Sequence, residues 1–213
     1  MSRRVVLALS AMLPLVTGCG REIALLTAPD PPPAARPGPA MALAAADLPP
    51  GFFPATAVRV LSGLRPGRAG CARLLRVAGG LPDARDVRQE HAAFYLPKPG
   101  ASLTEHVYRL PPGEAAERLA RFRADAASCR SIGMKSGTVR LRRFPLHRRF
   151  RDTVAVRYRA GSGDERIGVD LMMARRADAL LILAAPGALG GGGAQALERA
   201  EGRALRKLRA ANL

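Results

Sequence analysis

The chain has 213 residues, of which 48% are hydrophobic and 24% charged. That is globular usage at a length that supports one ordinary core, and it excludes a wholly disordered chain, a coiled coil and a multi-span membrane protein. Basic residues number 34 against 17 acidic, a net charge of +17, yet only Lys98, Lys135 and Lys207 among the basic residues are lysine. Arginine and alanine in such excess mark a GC-rich genome, so part of the basicity records codon usage and not a partner.

Arg3 and Arg4 precede a mostly apolar run from Val5 to Val16, the pattern of a secretory signal core. The run is too short to span a bilayer, which takes about 20 residues. It closes on Val16-Thr17-Gly18-Cys19, which resembles the lipobox of bacterial lipoproteins, with Val where Leu is commonest. The resemblance implies that residues 1–18 are removed and that the Cys19 thiol carries a diacylglyceryl group. The chain is then expected at the cell membrane, lipid-anchored on the extracytoplasmic face. Two or more acyl chains hold firmly, at about 0.8 kcal/mol per buried methylene, where one chain binds reversibly.

After Cys19 the composition turns to Ala and Pro, with Pro29, Pro31, Pro32, Pro33, Pro37 and Pro39 among few large apolar residues. Residues 19–46 therefore read as the lipidated Cys and a linker, and Pro-rich chain of that length reaches up to roughly 80 Å at about 3.1 Å per residue. Residues 47–213 read as one extracytoplasmic domain. It opens on Leu48-Pro49-Pro50-Gly51-Phe52-Phe53, a turn followed by aromatic residues for a core.

A first strand is expected at Val58 to Leu61 and a short helix at Ala72 to Ala78, closed by Gly79-Gly80. Strand-like runs at Val87 to Leu96 and Ala101 to Leu110 flank Pro97-Lys98-Pro99-Gly100, the punctuation of a hairpin. From Gly113 to Cys129 the residues Ala115, Leu119, Phe122, Ala126 and Cys129 step by three and four, which predicts a helix with one narrow apolar face. Glu114 with Arg118, and Glu117 with Arg121, form i,i+4 pairs on its solvated side. Four more strand patterns follow, at Thr138 to Phe144, Thr153 to Arg159, Arg166 to Ala174 and Asp178 to Ala185. The last is apolar throughout from Ala179, as expected of a strand covered on both faces. A Gly-rich turn at Gly187 to Gly193 leads to a final helix carrying Leu197, Ala204, Leu205 and Leu208. Helices segregated from a run of strands predict an α+β fold, an antiparallel sheet of about five to seven strands with helices packed mainly on one face.

With Cys19 lipidated, Cys71 and Cys129 are an even count in an oxidising compartment and are expected to pair. A hairpin symmetric about Lys98 and Pro99 sets His91 opposite His106, with Cβ atoms about 4.5 to 5.5 Å apart. Tyr95 and Tyr108 share that face with Gln89, Ser102 and Thr104, while Phe94, Leu96, Leu103 and Val107 take the other. His91, His106, Tyr95 and Tyr108 are thus candidate ligand-binding residues on a polar, aromatic surface. No third metal ligand has suitable spacing, and no metal or cofactor is expected.

Arg140, Arg142, Arg143, Arg148, Arg149 and Arg151, followed by Arg157 and Arg159 against Asp152, form the densest basic stretch. Six of them, Arg140 to Arg151, are candidate polyanion-binding residues, for anionic lipid or wall polymer more than for nucleic acid outside a membrane. The same stretch also suits a solvated arginine-rich loop and strand face. There is no Gly-x-Ser-x-Gly, Ser-x-x-Lys or His-Glu-x-x-His, and Gly190 to Gly193 lacks the Lys-Ser/Thr of a phosphate loop. An enzyme is not expected.

The lipobox, the Ala/Pro spacer, Leu-Pro-x-Gly-Phe at Leu48 to Phe52, Cys71, the long helix ending at Cys129 and the strands before a last helix together resemble an actinobacterial lipoprotein. The layout is similar to the PknH-type extracellular sensor domain. The resemblance implies a disulfide-stapled antiparallel sheet with a cleft for an extracytoplasmic ligand. That family carries two disulfides where this chain can make one, and no kinase or membrane-spanning helix is attached. The expected function is a non-catalytic, sensor-like binding module. The alternatives are a tether between membrane and anionic wall polymer, and a wall or lipid hydrolase.

Overall fold

The computed structural model describes residues 40–55, 61, 63–84, 87–98, 100–135, 140–144, 152–161, 166–188 and 192–211. All of them lie in the second of two compact units, Met1–Arg36 and Pro37–Leu213. Cys19, most of the strand expected at Val58 to Leu61, and Arg148, Arg149 and Arg151 lie outside the described residues.

In chain order the elements are β1 (Phe53–Pro54), β2 (Leu64–Pro66), α1 (Ala69–Ala78), β3 (Gln89–Leu96), β4 (Ala101–Arg109), α2 (Glu114–Ser128) and β5 (Ser131–Met134). They continue with β6 (Arg140–Phe144), β7 (Thr153–Ala160), β8 (Ile167–Arg176), β9 (Ala179–Ala188) and α3 (Gly193–Ala210). The strands form one sheet in the order β1-β3-β4-β9-β8-β7-β6-β5-β2. Every neighbouring pair is antiparallel.

This corrects the expectation of five to seven strands: nine are present among the described residues. The three that the sequence pattern did not announce, β1, β2 and β5, have two, three and four residues, too few for an alternation to register. The first two are the outer strands and contain Pro54 and Pro66. Proline donates no ladder hydrogen bond, so it is tolerated at a sheet edge and blocks further pairing there.

Strand alternation divides the sheet into two faces, each with its own core. On the front, Cys71, Leu74 and Leu75 of α1 and Leu119, Phe122 and Ala126 of α2 pack over Val156, Tyr158, Val169, Leu171, Leu180 and Ile182. On the back, Leu197, Ala200, Ala204 and Leu208 of α3 pack with Met41, Leu43 and Phe52 over Phe94, Leu103, Val107, Met172, Leu181 and Leu183. Helices therefore cover both faces, two on the front and one on the back. Met41 and Leu43, assigned by composition to the linker, are buried in the back core. The apolar run of β9 lies between the two layers, which accounts for its lack of alternation. Fully burying each such aliphatic side chain contributes about 1.5–3 kcal/mol.

A disulfide joins Cys71 to Cys129. The approach of α1 to the end of α2 is close enough that a Cβ on Gly70 would stand 2.1 Å from the Ser128 hydroxyl and 3.3 Å from its Cβ, so a larger residue beside the bridge would turn the serine out of its bond to the Asp125 carbonyl. No described helix is long and apolar enough to cross a membrane.

Candidate functional site

The hairpin of β3 and β4 places His91 directly opposite His106. Their ring centroids are 4.6 Å apart. Tyr95 lies four residues along β3 on the same front face and pairs with Phe53 of β1. Among the described residues these two are the large hydrophobic side chains left exposed, Phe53 at 57% and Tyr95 at 45%. An aromatic pair at the sheet edge thus shares the front face with a pair of imidazoles about 13 Å further along the strand.

The inner boundary of this site is built by the end of α1. Gly80 has φ +110°, and a Cβ there would stand 3.2 Å from both His106 Cε1 and the Tyr108 hydroxyl. Only glycine lets the backbone pass so close in a left-handed conformation. That passage lets the Leu81 N–H donate to the Tyr108 hydroxyl at 2.9 Å. Tyr108 is 1% exposed. It was expected on a polar surface with Tyr95 and instead forms part of the core under α1, stacking on His106 at 6.2 Å. Hydrophobic burial of its ring accounts for the difference, since its hydroxyl finds a backbone partner.

Burial, and secondarily the charge of His91, pushes His106 down to about 4. The ring is therefore neutral above mildly acidic pH and offers one nitrogen as donor and the other as acceptor. Burial also pushes the Tyr108 phenol above its ordinary range. Among the described residues no group of three or more His, Cys, Asp or Glu could hold a metal ion. The geometry suits a ligand with an apolar or planar part against Tyr95 and Phe53 and a hydrogen-bonding group against the imidazoles.

The described arginines of this stretch divide between the two faces of the sheet. Alternation along β6 and β7 sends Leu141, Val156 and Tyr158 to the front core. Arg143 points the same way, and its Nη1 donates to the Ala126 carbonyl of α2 at 3.0 Å. Arg140 and Arg142 stand exposed on the back, Arg140 donating to the Ser131 hydroxyl at 3.3 Å. Arg157 and Arg159, also on the back, are committed to a buried ion cluster beneath α3. Arg157 pairs with Asp170 at 3.0 Å and Glu198 at 2.7 Å, and Arg159 with Asp170 at 2.5 Å. Burial holds the nearby Glu201 carboxyl well above its ordinary range.

Sequence reasoning missed a second polar feature of the back face. Glu90 and Glu105 project from β3 and β4 toward Met41, Ala42 and Leu43 and accept their backbone N–H groups. Glu105 has the same parity as Leu103 and Val107, so a carboxylate at a core-facing position of β4 was the available signal.

No protein-family model and no curated protein matches the chain. Among solved structures it is similar to the X-ray structure of an uncharacterized protein (Rv0999 ortholog) from Mycobacterium smegmatis, at 13% identity over 78% of this chain and 93% of that chain. The TM-score is 0.37, a likeness too loose to carry an argument.

Proposed function

We propose that the chain is a membrane-anchored extracytoplasmic lipoprotein whose domain is a non-catalytic, sensor-like binding module. The anchor is the acylated Cys19, as the lipobox resemblance implies. The observation that carries the binding role is the front face of the β3–β4 hairpin, where two facing imidazoles and, about 13 Å further along the strand, the exposed rings of Tyr95 and Phe53 stand on one side of the sheet. Exposed apolar side chains grouped with polar groups are the usual makings of a ligand site. The Cys71–Cys129 bridge supports an oxidising compartment.

The test is mass spectrometry of the protein extracted from membranes, in denaturing and native conditions. Denaturing spectra are expected to show a chain beginning at an acylated Cys19. Native spectra are expected to show a small bound molecule that is lost in a His91→Ala/Tyr95→Ala variant. An unmodified Cys19 removes the anchor, and identical ligand occupancy in parent and variant removes the site.

A further inference from the structure

We propose that the outer face of α3 is a docking surface for the headgroups of anionic phospholipids. Arg199, Arg203 and Arg206 are spaced i, i+4 and i+7, which puts them on one stripe, opposite the Leu197, Ala204 and Leu208 that face the sheet. All three are exposed, and none forms an ion pair among the described residues.

The stripe lines one wall of an open groove of about 790 Å³, whose other wall is Ala46 to Pro50. Gly202 leaves the helix wall without a side chain, and Arg206 Nη1 lies 3.5 Å from where a Cβ would stand. Arg203 Nε reaches across to within 3.5 Å of the Asp47 carbonyl oxygen. The two carboxylates lining the groove are already neutralised from outside it. Asp47 is bound by Lys207 at 2.6 Å and Glu198 by Arg157 at 2.7 Å. The groove therefore presents three guanidinium groups with no competing anion, a fork geometry that suits phosphate oxygens.

The docking role rests on the reading of the chain as membrane-anchored. Ala46 to Pro50 continue back through Met41, and only residues 20–39 separate Ala40 from Cys19. Pro-rich chain of that length extends about 60 Å, so an acylated Cys19 would confine the groove to a shell of about that depth beside the surface. Anionic leaflets attract basic residues by about 1 kcal/mol each, about fivefold in binding. That proximity favours headgroups over a more distant polymer.

The test uses the full chain carrying Cys19→Ser, so that binding reports headgroup contact and not the anchor. Vesicles of phosphatidylcholine with and without phosphatidylglycerol are compared for three proteins with the same N-terminal segment. One is this parent, one adds R199Q/R203Q/R206Q, and one adds R68Q/R76Q/R130Q, which removes equal charge from exposed positions elsewhere. The parent and the Arg68 series are expected to bind phosphatidylglycerol vesicles in a salt-sensitive way. The α3 series is expected to lose about fivefold per arginine removed, with an unchanged thermal melt. Equal losses in both series would reduce the effect to net charge and overturn the proposal. Retention of the parent by soluble polyphosphate but not by vesicles would overturn it in favour of a polymer. An unmodified Cys19 in the wild-type protein would overturn the anchor and with it the reason for a membrane occupant, whereas equal losses in the two vesicle series would overturn the docking surface and leave the anchor standing.

Discussion

The backbone N–H of Leu43 donates to the carboxylate of Glu105, a side chain with no exposed surface. Beside it Met41 and Ala42 donate to Glu90 Oε2 at 2.7 and 2.9 Å. Burial pushes Glu105 up to about 7, against the opposing effects of the Leu43 bond and of Lys207 on α3, while Asp47 and Glu90 reinforce the rise. A carboxyl raised in the folded state contributes stability that is fully present below its ordinary value of 4.5 and is lost progressively as pH rises from there through about 7. Glu201, raised in the same direction, adds to that loss.

Denaturant unfolding is therefore expected to show stability falling from about pH 4.5, the ordinary glutamate value, through about pH 7, with Glu201 extending the fall to about pH 8. Glu105→Gln keeps an acceptor for the Leu43 N–H and removes the buried charge. It should raise stability at about pH 8 by a few kcal/mol and flatten the slope. A variant no more stable than the parent there would show that Glu105 is not held as a strained anion.

His106 works in the opposite sense. Its folded value of about 4 lies below the ordinary 6.5, so it contributes stability that is present above about pH 6.5 and is lost as pH falls toward 4. Imidazole NMR titration should place its midpoint near the lower value. Since burial is the larger cause and His91 the lesser, His91→Ala should move that midpoint only part of the way back. A complete return to the ordinary value would mean that charge repulsion, and not burial, governs the ring.

The bridge between Cys71 and Cys129 closes a separation of 58 residues, and restricting the unfolded chain over that length is worth about 4 kcal/mol in the chain-entropy account. Cys71→Ser/Cys129→Ser should unfold at correspondingly lower denaturant. Alkylation of the denatured, unreduced parent should label neither cysteine. Labelling of both would remove the bridge.

Asp170 has 5% side-chain exposure and serves both Arg157 and Arg159. Asp170→Ala leaves two guanidinium groups under α3 without their shared anion, which should cost about 3–5 kcal/mol in urea unfolding. A loss under about 1 kcal/mol would indicate that Glu198 and Glu201 carry the cluster alone.

Gly80→Ala combines a left-handed backbone with a methyl 3.2 Å from His106 and the Tyr108 hydroxyl. It should destabilise by about 1–3 kcal/mol and shift the His106 resonances. Unchanged imidazole signals would mean that the α1 terminus does not shape the site.

Local pattern carried much of this fold. Three- and four-residue steps from Ala115 to Ala126 announce α2, whose buried residues are those four-step positions. Proline and glycine at 97–100 place the hairpin turn so that His91 meets His106, and strand period two decides that Tyr95 shares their face. An even pair of cysteines foreshadows the bridge. These are relations between neighbours in sequence, or between strands joined by a short turn, and elementary stereochemistry suffices for them.

Other features depend on which surfaces meet. The edge strands β1 and β2, of two and three residues, acquire their identity only from partners such as Tyr95 and Ile132. Tyr108 is buried because the end of α1 lies over it, and Arg157 and Arg159 are sequestered because α3 brings Glu198 and Glu201 above them. Arg143 is parted from Arg140, Arg142, Arg157 and Arg159 by the same period that makes β6 and β7 strands, while three arginines of α3 gather beside Ala46 to Pro50 from far away in sequence. Sequence determined the longer elements and the hairpin register. The tertiary structure alone decided which charges are neutralised and which face solvent, because pairing and desolvation are set by distances between segments that local pattern does not encode.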